Sequence, residues 1–310
     1  MYEKEHAVAT YHAGELAVQE RAGLALRAAS ALRAVRAEVP PVARQFLAER
    51  PLIVVGAADP GGRLWATHLT GEPGFLRVPD PRSLVIDALP VPEDPLAGVL
   101  GAARSLPVGM IAIEPATRRR MRINGRADRD GTGLRVTLDQ VVSNCPKYIQ
   151  QRDHRPADAD GPVLRRATTG RALDAAQRAA VGRADTFFVT TASDTGHVDA
   201  SHRGGNPGFV QVLSATLLRW PDYTGNAMFL TLGNLHVNPA AGILVPDWET
   251  GTALHLSGTA RTVWDAEEIA RTPGAQRLVE FCVEAVHEVS GASPLRWGEP
   301  GYSRYNPPVR

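Results

Sequence analysis

Leu64-Trp-Ala-Thr-His-Leu-Thr-Gly-Glu-Pro-Gly-Phe75 returns later in the chain as Val198-Asp-Ala-Ser-His-Arg-Gly-Gly-Asn-Pro-Gly-Phe209. Pro73 and Pro207 lie 134 positions apart, and Asn124-Gly125 answers to Ser257-Gly258 at a separation of 133. A period this long marks a duplicated domain, because solenoid units run about 20–50 residues. Duplication permits comparison. Residues kept in both copies serve the fold, and residues kept in one are candidates for function.

Outward from the repeat, both copies read as β-structure. Leu52-Ile-Val-Val55, the turn Asp59–Gly62 and extended chain from Arg63 to Thr67 are echoed by Thr186–Thr191, Asp194–Gly196 and His197–Ser201. Short strands follow at 75–78, 83–87, 108–113 and 119–124, then at 209–212, 216–220, 228–232, 241–246 and 252–257. Spacing of this kind predicts a small antiparallel barrel in each half. Residues 278–289 admit a helix by the spacing of Glu280, Glu284 and Glu288, but their counterpart Leu134–Leu138 alternates with period two. Both are therefore read as strands. A helix is expected over 15–38, stopped by Pro40-Pro41, and a shorter one over 172–181. The expected class is mainly β (α+β), with two tandem antiparallel barrels: 1–150 with an N-terminal helix, 151–180 as linker and short helix, and 181–310.

Composition narrows the function. Thirty-four basic against thirty-three acidic residues leave a net charge of +1 over 310 residues, so no global field recruits nucleic acid or a membrane surface. Cys145 and Cys282 stand far apart with no CxxC, which indicates neither a disulfide framework nor a metal site. The N-terminus lacks an apolar signal core and no run approaches 18 apolar residues. A cytoplasmic protein acting on a small molecule is the expectation.

The two copies differ where chemistry belongs. Arg203 stands where the first copy has Leu69, and only the second copy carries Trp220-Pro-Asp-Tyr-Thr-Gly-Asn226 and Leu232-Gly-Asn-Leu-His-Val-Asn-Pro239. This predicts one working and one degenerate site. Arg203 beside Gly204-Gly205 offers a five-donor fork with close backbone approach, suited to phosphate. Asn226 and Asn234 donate and accept, matching the polar edge of an isoalloxazine or pyrimidine ring, and Gly225 and Gly233 beside them leave room for a ligand. Simpler roles compete: Gly225-Asn226 and Asn238-Pro239 as turns, Arg203 as an edge charge, His202 as packing because it recurs as His68. Trp220, Trp248 and Trp264 read as core or barrel-rim aromatics, and Asp199 carries little signal.

Together, Gly196–Phe209, Asp222–Asn226, Gly233-Asn-Leu235 and Asn238-Pro239 resemble the pyridoxamine 5′-phosphate oxidase-like, FMN-binding split-barrel family, in particular its tandem members. Tyr11-His-Ala-Gly-Glu-Leu-Ala-Val-Gln-Glu-Arg-Ala-Gly23 and Asn144-Cys-Pro-Lys-Tyr-Ile149 resemble motifs of those members' first half. The resemblance implies FMN held where two barrels meet, with Arg203 on its phosphate and Ser201, His202 and Gly204 beside the flavin. Asp222, Tyr223, Gly225 and Asn226 would run along the cofactor, and Asn234 with Leu235 would begin a helix at its ribityl or phosphate end. The first barrel would stand in for a partner subunit, completing an internal pseudo-dimer with Lys147 or Arg118–Arg120; a homodimer of chains is also open. His202 and Tyr223 are the candidate proton handlers.

The stretch Ala227–Leu232 replaces the basic Ser-Arg-Lys-Gly segment of true pyridoxamine phosphate oxidases, so vitamin B6 oxidation is not implied. An FMN-dependent oxidoreductase of unknown substrate is the leading expectation. A deazaflavin in the same site, a haem-binding or haem-degrading barrel, and a flavin module without turnover are the alternatives.

Overall fold

The protein was described through a computed structural model covering residues 10–144, 146–157 and 164–309. Cys145, the extreme N-terminus and residues 158–163 of the expected linker lie outside the described residues.

The first half contains α1 (Ala13–Arg21), α2 (Ala25–Leu32), β1 (Val35–Arg36), α3 (Pro41–Ala48), β2 (Leu52–Ala58), β3 (Leu64–Thr70), β4 (Leu76–Arg77), β5 (Ser83–Ile86), α4 (Ala97–Gly101), β6 (Leu106–Glu114), β7 (Arg119–Asp130) and β8 (Gly133–Asn144). The second contains β9 (His154–Pro156), β10 (Arg166–Gly170), α5 (Ala175–Arg183), β11 (Thr186–Ala192), β12 (Val198–Gly204), β13 (Gln211–Val212), β14 (Leu217–Asp222), α6 (Leu230–Val237), β15 (Ala240–Pro246), β16 (Ala253–Val263), α7 (Ala266–Ala270), β17 (Arg277–Ser290) and β18 (Leu295–Trp297). The first sheet runs β3-β2-β6-β7-β8-β5-β4 with β1 on β8, and the second runs β12-β11-β15-β16-β17-β14-β13 with β10 on β17. Strand for strand, the two eight-stranded antiparallel sheets share one topology.

What the copies share is indeed what the fold needs. A Cβ on Gly71 would lie 2.5 Å from the Phe75 ring, and one on Gly205 would lie 2.6 Å from Phe209. Each phenylalanine thus packs against its own glycine. Asn124/Gly125 and Ser257/Gly258 are β-bulges in equivalent strands. There a Cβ would sit 2.1 Å from the Thr137 carbonyl oxygen or 1.9 Å from that of Cys282, which excludes any larger residue.

The halves pack reciprocally. A Cβ on Gly109 of β6 would lie 2.4 Å from Asp199 Cα of β12, and one on Gly242 of β15 would lie 2.5 Å from the Leu64 oxygen and 2.8 Å from Trp65 Cα of β3. A third apolar cluster, including Val54, Ala66, Ile111, Phe188, Ala200 and Leu244, draws on both sheets and fills the seam. Gly109→Ala and Gly242→Ala are each expected to wedge the barrels apart and cost about 1–3 kcal/mol, the range for overpacking. Urea unfolding of the two variants checks this.

Three expectations are corrected. The 15–38 helix is two helices, because Gly23 adopts φ +68° and turns the chain between α1 and α2. Pro41 does not merely stop a helix; it occupies the first turn of α3, where a missing N–H costs nothing. The 228–232 strand is the entry to α6: Ala227 and Phe229 take left-handed conformations (φ 67° and 59°), breaking extended chain before Leu230. Thr231 to Leu235 are all buried, so α6 has no polar face to reveal its period. The stretch read as linker also contributes β10, paired with β17 from Arg166↔Ser290 to Gly170↔Val286. Among the described residues, no helix is long and apolar enough to cross a membrane.

Candidate functional site

A cleft of about 240 Å³ lies in the seam. β12 supplies Ser201, His202, Arg203 and Gly204; the β14–α6 connection supplies Asp222 to Ala227 and Phe229; β7 of the first barrel supplies Arg120 and Arg122. The exposed Thr224–Asn226 turn marks its solvent side. Six basic side chains line it, Arg27, Arg120, Arg122, Lys147, Arg203 and Arg277, against one carboxylate, Asp222.

Each group is held by neighbours. Arg203 donates from Nη1 to Ser201 Oγ at 2.8 Å and to the His202 carbonyl at 3.1 Å. Arg122 reaches across the seam, donating to Asp199 Oδ2 at 3.0 Å and Ser201 Oγ at 2.5 Å. Asp222 is answered by Arg277 (2.8 Å), its register partner on β17, whose guanidinium lies 4.8 Å from the Phe229 ring centre. Tyr148 and Tyr223 face each other with ring centres 5.0 Å apart. Burial pushes the Arg203 pKa down, and burial followed by Tyr148 pushes Tyr223 up to about 12.

His202 is 3 % exposed. Arg120 Nη1 lies 2.8 Å from its Nδ1. An arginine can only donate, so Nδ1 accepts and the ring proton sits on Nε2. Burial, then Arg120 and Arg203, hold its pKa well below the usual histidine value. His202 is therefore a neutral N–H donor. Its Nε2, Arg203 Nε and Thr231 Oγ1 are buried, lack a hydrogen-bond partner among the described residues, and belong to residues lining this one cleft.

Of the residues singled out from sequence, Ser201, His202, Arg203, Gly204, Asp222, Tyr223, Gly225 and Asn226 come together here. Asn234 and Leu235 do not. They lie in the middle of α6 rather than at its start: Asn234 donates to Thr191 Oγ1 (3.0 Å) and lies 3.0 Å from His12 Nε2, and Leu235 joins the second barrel's core. Gly204 and Gly233 are small for packing, since a Cβ would meet the Tyr148 oxygen at 2.1 Å or Glu15 Cγ at 2.4 Å. Asn226 accepts from the Met228 N–H at 3.1 Å, which is a turn role. From the first half, Lys147 and Arg120 line the cleft, whereas Arg118 donates to the Ile149 and Gly301 carbonyls and Arg119 pairs with Glu114. Arg122, Arg277 and Arg27 were missed; the period-two series Arg120, Arg122, Asn124 was the available signal for the first.

The equivalent place in the other seam is closed. Thr67, Leu69 and His255 stand where Ser201, Arg203 and Arg122 stand in the open cleft. Thr67 donates to Asp94, His255 Nδ1 meets the Ala66 oxygen at 2.8 Å, and Leu69 is 1 % exposed. Burial, followed by His255, holds the His68 pKa down at about 4.

A second seam cavity, about 590 Å³, lies beyond the Arg122–Asp199 pair, and α1 forms part of it. Glu15 there is 6 % exposed, and burial raises its pKa from 4.5 to about 7 despite the His12 N–H bond at 2.8 Å. The folded state thus keeps this proton more tightly than the unfolded chain, so stability is lost as pH rises from about 4.5 through about 7. Glu15→Gln retains the capping acceptor and removes that cost. It is expected to raise stability by about 2 kcal/mol at pH 8 and to leave it unchanged at pH 4, read by urea unfolding at both.

Residues 173–297 match the family model described as pyridoxamine 5′-phosphate oxidase. No curated protein matches the chain. Similar solved structures include HupZ of Group A Streptococcus (13% identity, covering 36% of this chain and 90% of that one, TM-score 0.30). Others are an FAD-binding protein of Mycobacterium smegmatis (15%, 39% and 98%, TM-score 0.29) and a Clostridium acetobutylicum protein related to general stress protein 26 of B. subtilis (13%, 39% and 89%, TM-score 0.26).

Proposed function

We propose, on the premise that this chain belongs to the pyridoxamine 5′-phosphate oxidase-like family, that it is an FMN-dependent oxidoreductase with its flavin in the smaller seam cleft. One observation carries the reading: buried polar atoms on His202, Arg203 and Thr231 have no hydrogen-bond partner among the described residues, and they belong to a cleft lined by six cations and one carboxylate. Such a lining fits a phosphorylated, hydrogen-bonding ligand, because unpaired buried donors cost about 1–3 kcal/mol each unless something accepts from them.

Arg203, Lys147 and the backbone N–H groups opening α6 would hold the phosphate, since a helix N-terminus and a guanidinium both favour an anion. Tyr148 and Tyr223, already in contact with each other, would line one side of a planar ring. When bound, the flavin supplies the hydride and electron chemistry, and the protein supplies orientation and exclusion of water. His202 donates from Nε2 and stays neutral. Tyr223, with its pKa raised to about 12, also stays a donor. Neither acts as a base at neutral pH; both stabilise negative charge that develops on a ligand.

Because Leu69 and the Thr67–Asp94 bond close the other seam, one FMN is expected per chain. Titration of flavin-free protein followed by flavin fluorescence should break at a ratio of one; a ratio of two overturns the single-site reading. Turnover is tested separately, by whether any reductant speeds flavin bleaching beyond its rate in free FMN. No acceleration with a broad reductant panel favours a binding module.

A further inference from the structure

The motif Tyr11–Gly23 contributes no lining residue to the flavin cleft, which begins at Leu24 and Arg27 just past its end, yet its first turn is closely determined. His12 Nδ1 accepts from the Gly14 N–H at 3.1 Å, which leaves Nε2 as the protonated nitrogen donating to Asn234 Oδ1 at 3.0 Å. Gly14 is pressed against α6, where a Cβ would lie 2.2 Å from the Gly233 oxygen. The result is that Glu15 is fixed in the wall of the larger cavity, beside Asn124, Asp199 and Asn234.

The inner wall has acceptors to spare. Asn124 spends its amide N–H on Asp199 Oδ1 (3.2 Å), which turns Oδ1 away from that carboxylate; that oxygen is buried and has no donor among the described residues. Asp199 is satisfied by Arg122, but among the described residues Glu15 has only neutral His12 within ion-pairing distance, at 3.8 Å. The mouth is opposite in sign: the exposed Arg36, Arg82 and Arg126 face one carboxylate, Asp139.

We infer that this cavity is a binding site for a small amino-acid-like zwitterion, its ammonium toward Glu15 and Asn124 Oδ1 and its acid group toward the arginines at the mouth. A hydroxyl would satisfy Asn124 but leave Glu15 unpaired, and a plain dianion would set charge against the inner carboxyls. The site is independent of the flavin cleft, from which the Arg122–Asp199 pair divides it.

Binding carries a proton signature. Groups acting on Glu15 are His12 at the start of its own helix, Asp199 on β12 and Arg122 on β7, while Asp194 and His197 on the hairpin between β11 and β12 act on His12. An added ammonium favours the ionised carboxyl, so near pH 7 Glu15 releases its proton on binding.

The test is calorimetry on the full chain with alanine, glutamate and 4-aminobutyrate, against propionate, glutarate and butyrate as amine-free analogues, in buffers of different ionisation enthalpy. At least one zwitterion should bind about tenfold more tightly than its analogue and release a proton at pH 7. Glu15→Gln should abolish the release and weaken binding, Arg82→Ala with Arg126→Ala should weaken it, and Arg203→Ala should leave it unchanged. No binding by any zwitterion, equal binding of the analogues, or loss in Arg203→Ala overturns the proposal.

Discussion

Arg122→Ala is expected to lower the unfolding free energy by about 3–5 kcal/mol, the usual result of removing one partner from a buried ion pair. Arg122 is 7 % exposed and Asp199 4 % exposed, and their bond crosses the seam between barrels. Without the guanidinium, Asp199 keeps its burial, the Asn124 amide and the weaker influence of Arg203. Burial already pushes its pKa up, with Arg122 the chief opposing influence. In the variant the carboxyl should hold its proton to still higher pH. The folded pKa then exceeds the unfolded one, so stability falls as pH rises, and the deficit should be larger at pH 8 than at pH 5. Urea midpoints at the two values check this. Pairing Arg122→Leu with Asp199→Leu should recover part of the loss, since replacing both charges removes their desolvation. An unchanged midpoint in Arg122→Ala would mean that the halves do not depend on this bond.

Arg203→Ala is expected to weaken FMN binding by about 30-fold or more, the equivalent of about 2 kcal/mol or more for charge-assisted bonds to a phosphate. Its guanidinium is tethered by Ser201 Oγ and the His202 carbonyl, so little conformational freedom remains to lose on binding. Arg203→Lys should recover only part, because an ammonium cannot reproduce the planar fork. Stability should change far less than in Arg122→Ala, because Arg203 is partly open to the cleft and is held by a hydroxyl and a carbonyl rather than by a buried carboxylate. Fluorescence titration separates these outcomes from unfolding. Equal FMN affinity in wild type and Arg203→Ala would remove this residue from the site.

Much of the fold was legible because it was written twice. Glycines under Phe75 and Phe209, and the bulge glycines 125 and 258, recur because backbone contact leaves no room for anything larger. The β17 reading depended on the same comparison: alternation in Leu134–Leu138 settled an ambiguity that Glu280, Glu284 and Glu288 left open. α6 stayed hidden because five consecutive buried residues, Thr231 to Leu235, leave no amphipathic period to read. Of the candidate site, Arg203 showed itself by its absence from the first copy. The pairing of Arg122 with Asp199 did not, since a contact across the seam depends on how two barrels face each other; the period-two series Arg120, Arg122, Asn124 signals a shared strand face and not its partner. Asp222 was legible as a cleft residue, but its partner Arg277 lies 55 positions away and is found only through the β14–β17 register.

The central claim is that a phosphorylated flavin occupies the Arg203 cleft. The most direct measurement is the visible spectrum of the isolated protein, with the mass of the chromophore released on denaturation. The account predicts flavin absorption and the mass of FMN, one per chain, with both lost in Arg203→Ala. Colourless protein that takes up no added FMN, or a Soret band in place of the flavin bands, would contradict it.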